Sequence, residues 1–149
     1  MKNMALLIDT NIVLDWLLER QPFAENAKRI MELCIHDNFR CYLAGHTLLN
    51  IFYITRKVKS VAERKEILLM LCDYFDIIDV DKPMIISVLQ NENWNDLEDG
   101  LQMQSAEQEK LDYIITRNVK DFNNSPVKAL LPEHFLNVEK QRLDIGSST

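Results

Sequence analysis

The sequence predicts an α/β fold, a three-layer sandwich in which helices cover both faces of a mainly parallel central sheet. Three observations carry this. Short continuous apolar runs such as Ala5–Ile8 and Cys41–Ala44 have the length and uniformity of strands covered on both faces. Segments with apolar residues at three- and four-residue spacing separate one run from the next. The alternation runs on without an internal repeat or a long linker, and 149 residues with 47% hydrophobic content suit one buried core. Strands joined through helices imply right-handed crossovers between parallel neighbours.

Taken in order, Ala5–Ile8 is the first strand, and it stops abruptly at Asp9-Thr10-Asn11. A helix follows through Ile12, Leu14, Trp16 and Leu17. Pro22, whose fixed φ suits a first turn, opens a second helix carrying Ala27, Ile30, Met31, Cys34 and Ile35. Cys41–Ala44 is the second strand, broken by Gly45, and His46-Thr47 start a helix through Leu49, Phe52 and Tyr53. Ser60-Val61-Ala62-Glu63 has the spacing of a capping box, in which the serine oxygen and the glutamate each satisfy a free backbone donor. Ile67, Leu68, Leu71 and Cys72 support the helix that follows. The third strand spans Phe75 to Val80 and leads into a helix with Pro83 in its first turn, then a loop at Asn93–Asp96. The helix from Leu97 to Glu109 is unusually polar. Tyr113–Thr116 is the next strand, Val127–Leu130 a short edge strand, and Pro132–Phe135 a helical turn. One domain is expected over residues 1–138, with a polar tail over residues 139–149 that frays.

Composition removes several function classes. Three cysteines, Cys34, Cys41 and Cys72, sit in apolar segments without paired spacing and read as core thiols, while His36, His46 and His134 are scattered, so a zinc hydrolase has little support. A formal net charge of −6 argues against a broad electrostatic coat for nucleic acid, so any such contact must be local. Only Gly45, Gly100 and Gly146 occur, far apart, which excludes a phosphate-cradling loop and a dinucleotide fingerprint. No apolar run nears the roughly 18 residues of a membrane span, and Met4–Ile8 is too short for a signal peptide. A cytoplasmic protein without membrane contact is expected.

In open sheets of this kind, sites lie beyond the carboxyl ends of the strands. Asp9 follows the first strand, Asn50 lies on the helix after the second, and Arg117-Asn118-Val119-Lys120-Asp121 follows the fourth. Asp96, Glu98 and Asp99 open the helix that precedes that strand and can face the same edge. Carboxylates held together raise one another's pKa, a cost that a divalent cation relieves. Mg²⁺ or Mn²⁺ suits such oxygen donors better than zinc. The alternative is structural: Asp9-Thr10-Asn11 can cap a helix, and Asp96, Glu98 and Asp99 can be favourable charge at a helix N-terminus. Spacing alone does not choose between the two.

Leu7-Ile8-Asp9-Thr10-Asn11-Ile12-Val13-Leu14-Asp15, Asp96-Leu97-Glu98-Asp99-Gly100-Leu101-Gln102, Tyr113 through Phe122, and Leu131-Pro132-Glu133-His134-Phe135-Leu136 together resemble the PIN-domain family, and within it the toxin-like nucleases paired with small antitoxins. The resemblance covers residues 4 to 137. It implies a PIN-like fold and a metal-dependent ribonuclease in which acids at the first strand, a middle helix, a late helix and the last motif hold one or two divalent ions. The first position matches Asp9 and the third Asp99, with Asp96 and Glu98 beside it. The second falls on Asn50, where a glutamate is common in the family; an amide oxygen there adds no charge, so Asn50→Glu is expected to tighten Mn²⁺ binding. In the last motif Asn118 stands where many relatives carry aspartate, and Asp121, three residues on, is the other choice.

The reaction implied is metal-assisted phosphodiester hydrolysis of RNA, with Asp9 and Asp99 as ligands. Which of Asp96, Glu98 and Asp121 holds a second ion or orients the water stays open. Arg117, Arg56 and Lys57 are the candidates for phosphate contact, whereas Lys59, Arg64 and Lys65 suit any exposed helix surface. Trp16 and Trp94 read as core or interface before base-stacking platforms. A homodimer and a small antitoxin are the partners that the resemblance implies. Two competing functions remain: a PIN-fold interaction module with weak or no catalysis, for which Asn50 and Asn118 speak, and a phosphatase-like hydrolase with Asp9 as nucleophile. The second is disfavoured because Asn11 stands where that class wants an aspartate.

Overall fold

A computed structural model describes residues 4–36 and 39–147. Its five strands, β1 (Ala5–Ile8), β2 (Arg40–Ala44), β3 (Asp76–Ile78), β4 (Tyr113–Ile115) and β5 (Ala129–Leu130), form one sheet in the order β3-β2-β1-β4-β5. Every neighbouring pair is parallel, and Leu7 in the central strand lies opposite Tyr42 on one side and Ile114 on the other. The period of two in a strand divides β1 between two cores. Leu6 and Ile8 face one with Ile12, Leu14, Ile30, Met31, Leu71 and Phe135, while Ala5 and Leu7 face the other with Met84, Val88, Leu101, Met103 and Ala106.

The first core is covered by α1 (Thr10–Leu17), α2 (Ala24–Ile35), α3 (Gly45–Ile54), α4 (Val61–Tyr74) and α7 (Pro132–Ser147), and the second by α5 (Lys82–Gln90) and α6 (Leu97–Gln108). This is the three-layer α/β architecture that the alternation predicts. From β1 the chain steps to β2 and β3, then crosses to β4 and β5 on the opposite side. The strand order therefore reverses at β1–β4, and a crevice opens beyond the carboxyl ends of those two strands.

Several local expectations are corrected. Pro22 lies in a turn, and α2 begins two residues later at Ala24. β3 is shorter than Phe75–Val80 because Phe75 still donates its N–H to Leu71 and closes α4. The terminal helix is longer than the turn Pro132–Phe135: α7 continues through Ser147, with Glu139 buried and bonded to Arg142 at 2.8 Å. The last two positions of the predicted tail, 148 and 149, lie outside the described residues. The cysteines are not three core thiols. Cys34 and Cys41 are buried and joined as a disulfide, and Cys72 is exposed.

The polar helix α6 is an interior helix. Gly100, Leu101, Gln102, Met103, Ser105 and Ala106 are all buried. Gly100 permits the close approach of α5, since a Cβ at that position would lie 2.4 Å from the Val88 side chain. Buried polar groups must be paired, and Ser105 meets Met84 sulfur at 3.6 Å while Gln102 turns toward the crevice.

Candidate active site

Asp9 begins at the carboxyl end of β1, where its N–H still donates to Ile115 O of β4. It occupies the N-cap position of α1, yet its side chain makes no capping bond. The carboxylate instead accepts from the Thr116 hydroxyl at 2.8 Å and from the Gln102 amide at 3.4 Å. It is 6% exposed. Burial pushes its pKa up to about 6, against the opposing pull of the Thr116 bond.

A set of buried polar side chains stands behind it. Gln102 Nε2 also lies 3.4 Å from the Thr10 hydroxyl and 3.3 Å from that of Thr47, and the two hydroxyls are 2.9 Å apart. Thr116 accepts the Asn118 N–H at 3.0 Å, so one threonine links Asp9 to the start of the 3-10 turn Val119–Phe122. Thr10, Thr47, Gln102 and Thr116 are wholly or almost wholly buried, and sequence reasoning assigned none of them a role. The available signal was Gln102, a long amide three residues after Asp99 on a helix whose neighbours are apolar or small. Only its contacts show that it meets Asp9.

Asp99 is half-buried in the first turn of α6, and its pKa is pushed up to about 7. Burial is the largest cause, followed by the charges of Asp96, Asp121, Asp9 and Glu98. Burial and Asp96 likewise raise Glu98, whose Oε1 accepts from Asn50 Nδ2 at 2.8 Å. Asp96 is the N-cap of α6 and accepts the Asp99 N–H at 2.8 Å. Asp121 is exposed in the 3-10 turn. Asp96, Asp99 and Asp121 line a cleft of about 280 Å³ together with Lys120, Trp94 and the amides of Asn93, Asn95, Asn123 and Asn124.

The basic candidates fall elsewhere. Arg117 donates from Nε at 2.9 Å and from an Nη at 3.4 Å to the fully buried Asp15, and its plane stacks 4.2 Å from the Phe23 ring. Its charge reaches Asp9 and lowers that pKa, but its fork is occupied by Asp15. Arg56 lies in the turn after α3, stacked at 3.8 Å on Tyr53 and bonded to the Tyr53 carbonyl, with exposed Lys57 beside it. The cation lining the cleft is Lys120.

The donor set fits a hard divalent ion in chemistry: the groups that raise Asp99 are all carboxylates. Among the described residues, however, no three His, Cys, Asp or Glu side chains are closed around one point.

A family profile described as a PIN domain matches residues 5–120. Among solved structures, the chain is similar to a toxin–antitoxin complex from Klebsiella pneumoniae, with 25% identity, a TM-score of 0.63, and coverage of 85% of this chain and 97% of that one. It shares its fold with VapBC-1 from nontypeable Haemophilus influenzae, at 17% identity and TM-score 0.65 over 87% of this chain and 99% of that one. It also shares it with Mycobacterium tuberculosis VapC20, a sarcin–ricin-loop-cleaving toxin, at 11% identity and TM-score 0.58 over 73% and 86%. No curated protein matches the sequence.

Proposed function

The chain belongs to the PIN-domain family, and from that premise we propose that it is a divalent-cation-dependent endoribonuclease, the toxin of a toxin–antitoxin pair. The observation that carries the reading is Asp99, half-buried in the first turn of α6 and lining one cleft with Asp96 and Asp121. Burial and the neighbouring carboxylates raise its pKa to about 7, a cost that a bound cation relieves. Asp9 and Asp99 would hold Mg²⁺ or Mn²⁺, which when bound supplies an activated water and positive charge against the phosphate.

The chain's own residues prepare the rest. Thr116 and Gln102 fix the Asp9 carboxylate from two sides. Lys120 offers the cleft a cation for a backbone phosphate, and the four asparagine amides present donors and acceptors suited to unpaired bases and 2′-hydroxyls. A net charge of −6 favours local RNA contact over a broad electrostatic coat. Arg117, Arg56 and Lys57 are the proposed phosphate contacts outside the cleft, and Asn118 and Asp121 further candidates for the catalytic set. The partner inferred is a small antitoxin, as in the Klebsiella complex, together with a second copy of the chain in a homodimer. No described helix is long and apolar enough to cross a membrane, and a cytoplasmic location belongs to the proposal.

A second reading, a PIN-fold interaction module with weak catalysis, draws on Asn50 and Asn118, amides at two positions where the family commonly carries acids. Incubating the purified protein with a mixed RNA pool, with and without Mg²⁺ or Mn²⁺, separates the two. The expected result is cation-dependent cleavage by the wild type and loss of most cleavage in Asp9→Asn and Asp99→Asn. Equal activity in all three proteins at saturating Mn²⁺ overturns the proposed site, and no cleavage by any of them favours the module.

A further inference from the structure

We propose that Gln102 is a positioning residue, a strut that fixes the spacing between Asp9 and Asp99 and thereby sets how strongly the site favours Mg²⁺ relative to Ca²⁺. This rests on the divalent-cation reading above and adds no ligand to it. The two proposed ligands sit on different elements, Asp9 at the β1–α1 junction and Asp99 on α6. Their separation depends on how α6 seats against that junction. Among the described residues, the side-chain hydrogen bonds from α6 to the junction all come from Gln102, which reaches Asp9 and Thr10 at 3.4 Å. The same amide reaches Thr47 of α3 at 3.3 Å, so one side chain ties three elements together. Gln102 stands three residues after Asp99, a spacing that puts both on one helix face. A movement of α6 that displaces Asp99 therefore breaks these contacts as well.

Stability gives no reason for an amide here. Gln102 is 0% exposed, yet its Oε1 has no hydrogen-bond partner among the described residues. A bare buried oxygen costs free energy, and the two hydrogens of Nε2 are divided among three acceptors. Removing the amide would orphan little. Thr10 and Thr47 stay bonded to each other at 2.9 Å, and Thr116 still donates to Asp9 at 2.8 Å. What the amide supplies is position: Thr116 holds Oδ2 of Asp9 while Gln102 meets Oδ1, so the carboxylate is braced against rotation. Mg²⁺ demands near-ideal octahedral geometry, whereas Ca²⁺ accepts a flexible one. Loosening the pair of carboxylates therefore penalises Mg²⁺ first.

The test is calorimetric titration of Mg²⁺ and of Ca²⁺ into the full chain, paired with thermal melts in chelator. Gln102→Met keeps the length of the side chain without the amide. Thr47→Val removes one anchor of the strut and touches neither ligand, and Asp9→Asn removes a ligand. In Gln102→Met the melt should stay close to the wild type while Mg²⁺ affinity falls about tenfold, the size seen when groups around a metal are altered. Ca²⁺ affinity should fall much less. Thr47→Val should shift the ratio of the two affinities in the same direction and by a smaller amount. A ratio in Gln102→Met equal to that of the wild type overturns this inference, whatever the melt, and loss of both ions in Asp9→Asn then leaves the site standing. Should Gln102→Met fail to fold, an unchanged ratio in Thr47→Val overturns it in the same way. A wild type that binds neither ion overturns the cation reading and this inference together.

Discussion

Asp9 is the residue at which structure and titration meet most directly. Its ordinary pKa is 3.8, burial raises it to about 6 in the folded chain, and the unfolded chain keeps the ordinary value. The folded state therefore binds this proton more tightly than the unfolded state. The stability it contributes is complete below about pH 4 and is lost as pH rises through about 6. A shift of that size corresponds to about 3 kcal/mol. Asp99 adds a loss of the same sign as pH rises toward about 7. In chelator, the melting temperature of Asp9→Asn relative to wild type is expected to climb between about pH 4 and pH 7, because the amide carries no charge and keeps an oxygen for Thr116. A relative melting temperature that stays flat across that range would show that Asp9 is not desolvated. Arg117 teaches a different lesson at this scale. Its place beside Asn118 makes it look like a phosphate contact, whereas its partner Asp15 is fully buried 102 residues away, and removing the guanidinium would leave that carboxylate with Arg20 at 3.6 Å. No local pattern shows such a pairing.

Among the elements, α6 carries the most. Its unusual polarity includes that of buried Gln102 and Ser105 and of the acids at its first turn. Asp96, read from the sequence as favourable charge at a helix N-terminus or a site acid, is the capping residue of α6, while the neighbouring Asp99 lines the cleft and Glu98 accepts from Asn50. The two roles can be parted. Asp96→Asn keeps a capping oxygen and should melt at or above the wild type with Mn²⁺ affinity retained, whereas Asp96→Ala should cost about 1 kcal/mol. For a chain of this size that is a melting point lower by roughly 2–4 °C. Loss of Mn²⁺ binding in Asp96→Asn as complete as in Asp9→Asn would make Asp96 a ligand and refute the capping role. Elsewhere, legibility follows the range of the signal. The capping box of α4 lies within four residues and forms as expected, with both bonds at 3.1 Å. The start of α2 and the extent of β3 depend on how neighbouring elements pack, and there the expectation misses.

For the molecule as a whole, an ion that binds only the folded state raises stability by mass action. At a hundredfold excess of Mn²⁺ over its Kd the gain is about 2.7 kcal/mol, a melting point higher by roughly 5–10 °C. Asp9→Asn should show no such rise under the same conditions; an equal rise in both proteins would place the ion elsewhere. The topology explains why one carboxylate has such reach. The sheet order β3-β2-β1-β4-β5 puts the reversal of direction at β1–β4, where Asp9 and Thr116 emerge side by side. By itself the sequence determined the α/β layering, the strands of the sheet, the capping box of α4 and the acids worth inspecting, because each is written in hydrophobic period or in residues within one helical turn. Only the tertiary structure decided that Gln102 and Thr116 hold Asp9, that Asn50 holds Glu98, that Arg117 serves Asp15, and that Cys34 meets Cys41 while Cys72 faces solvent. Most of those contacts join residues many tens of positions apart, and whether a polar side chain finds water or a partner is set by the packing of whole layers, which no local pattern encodes.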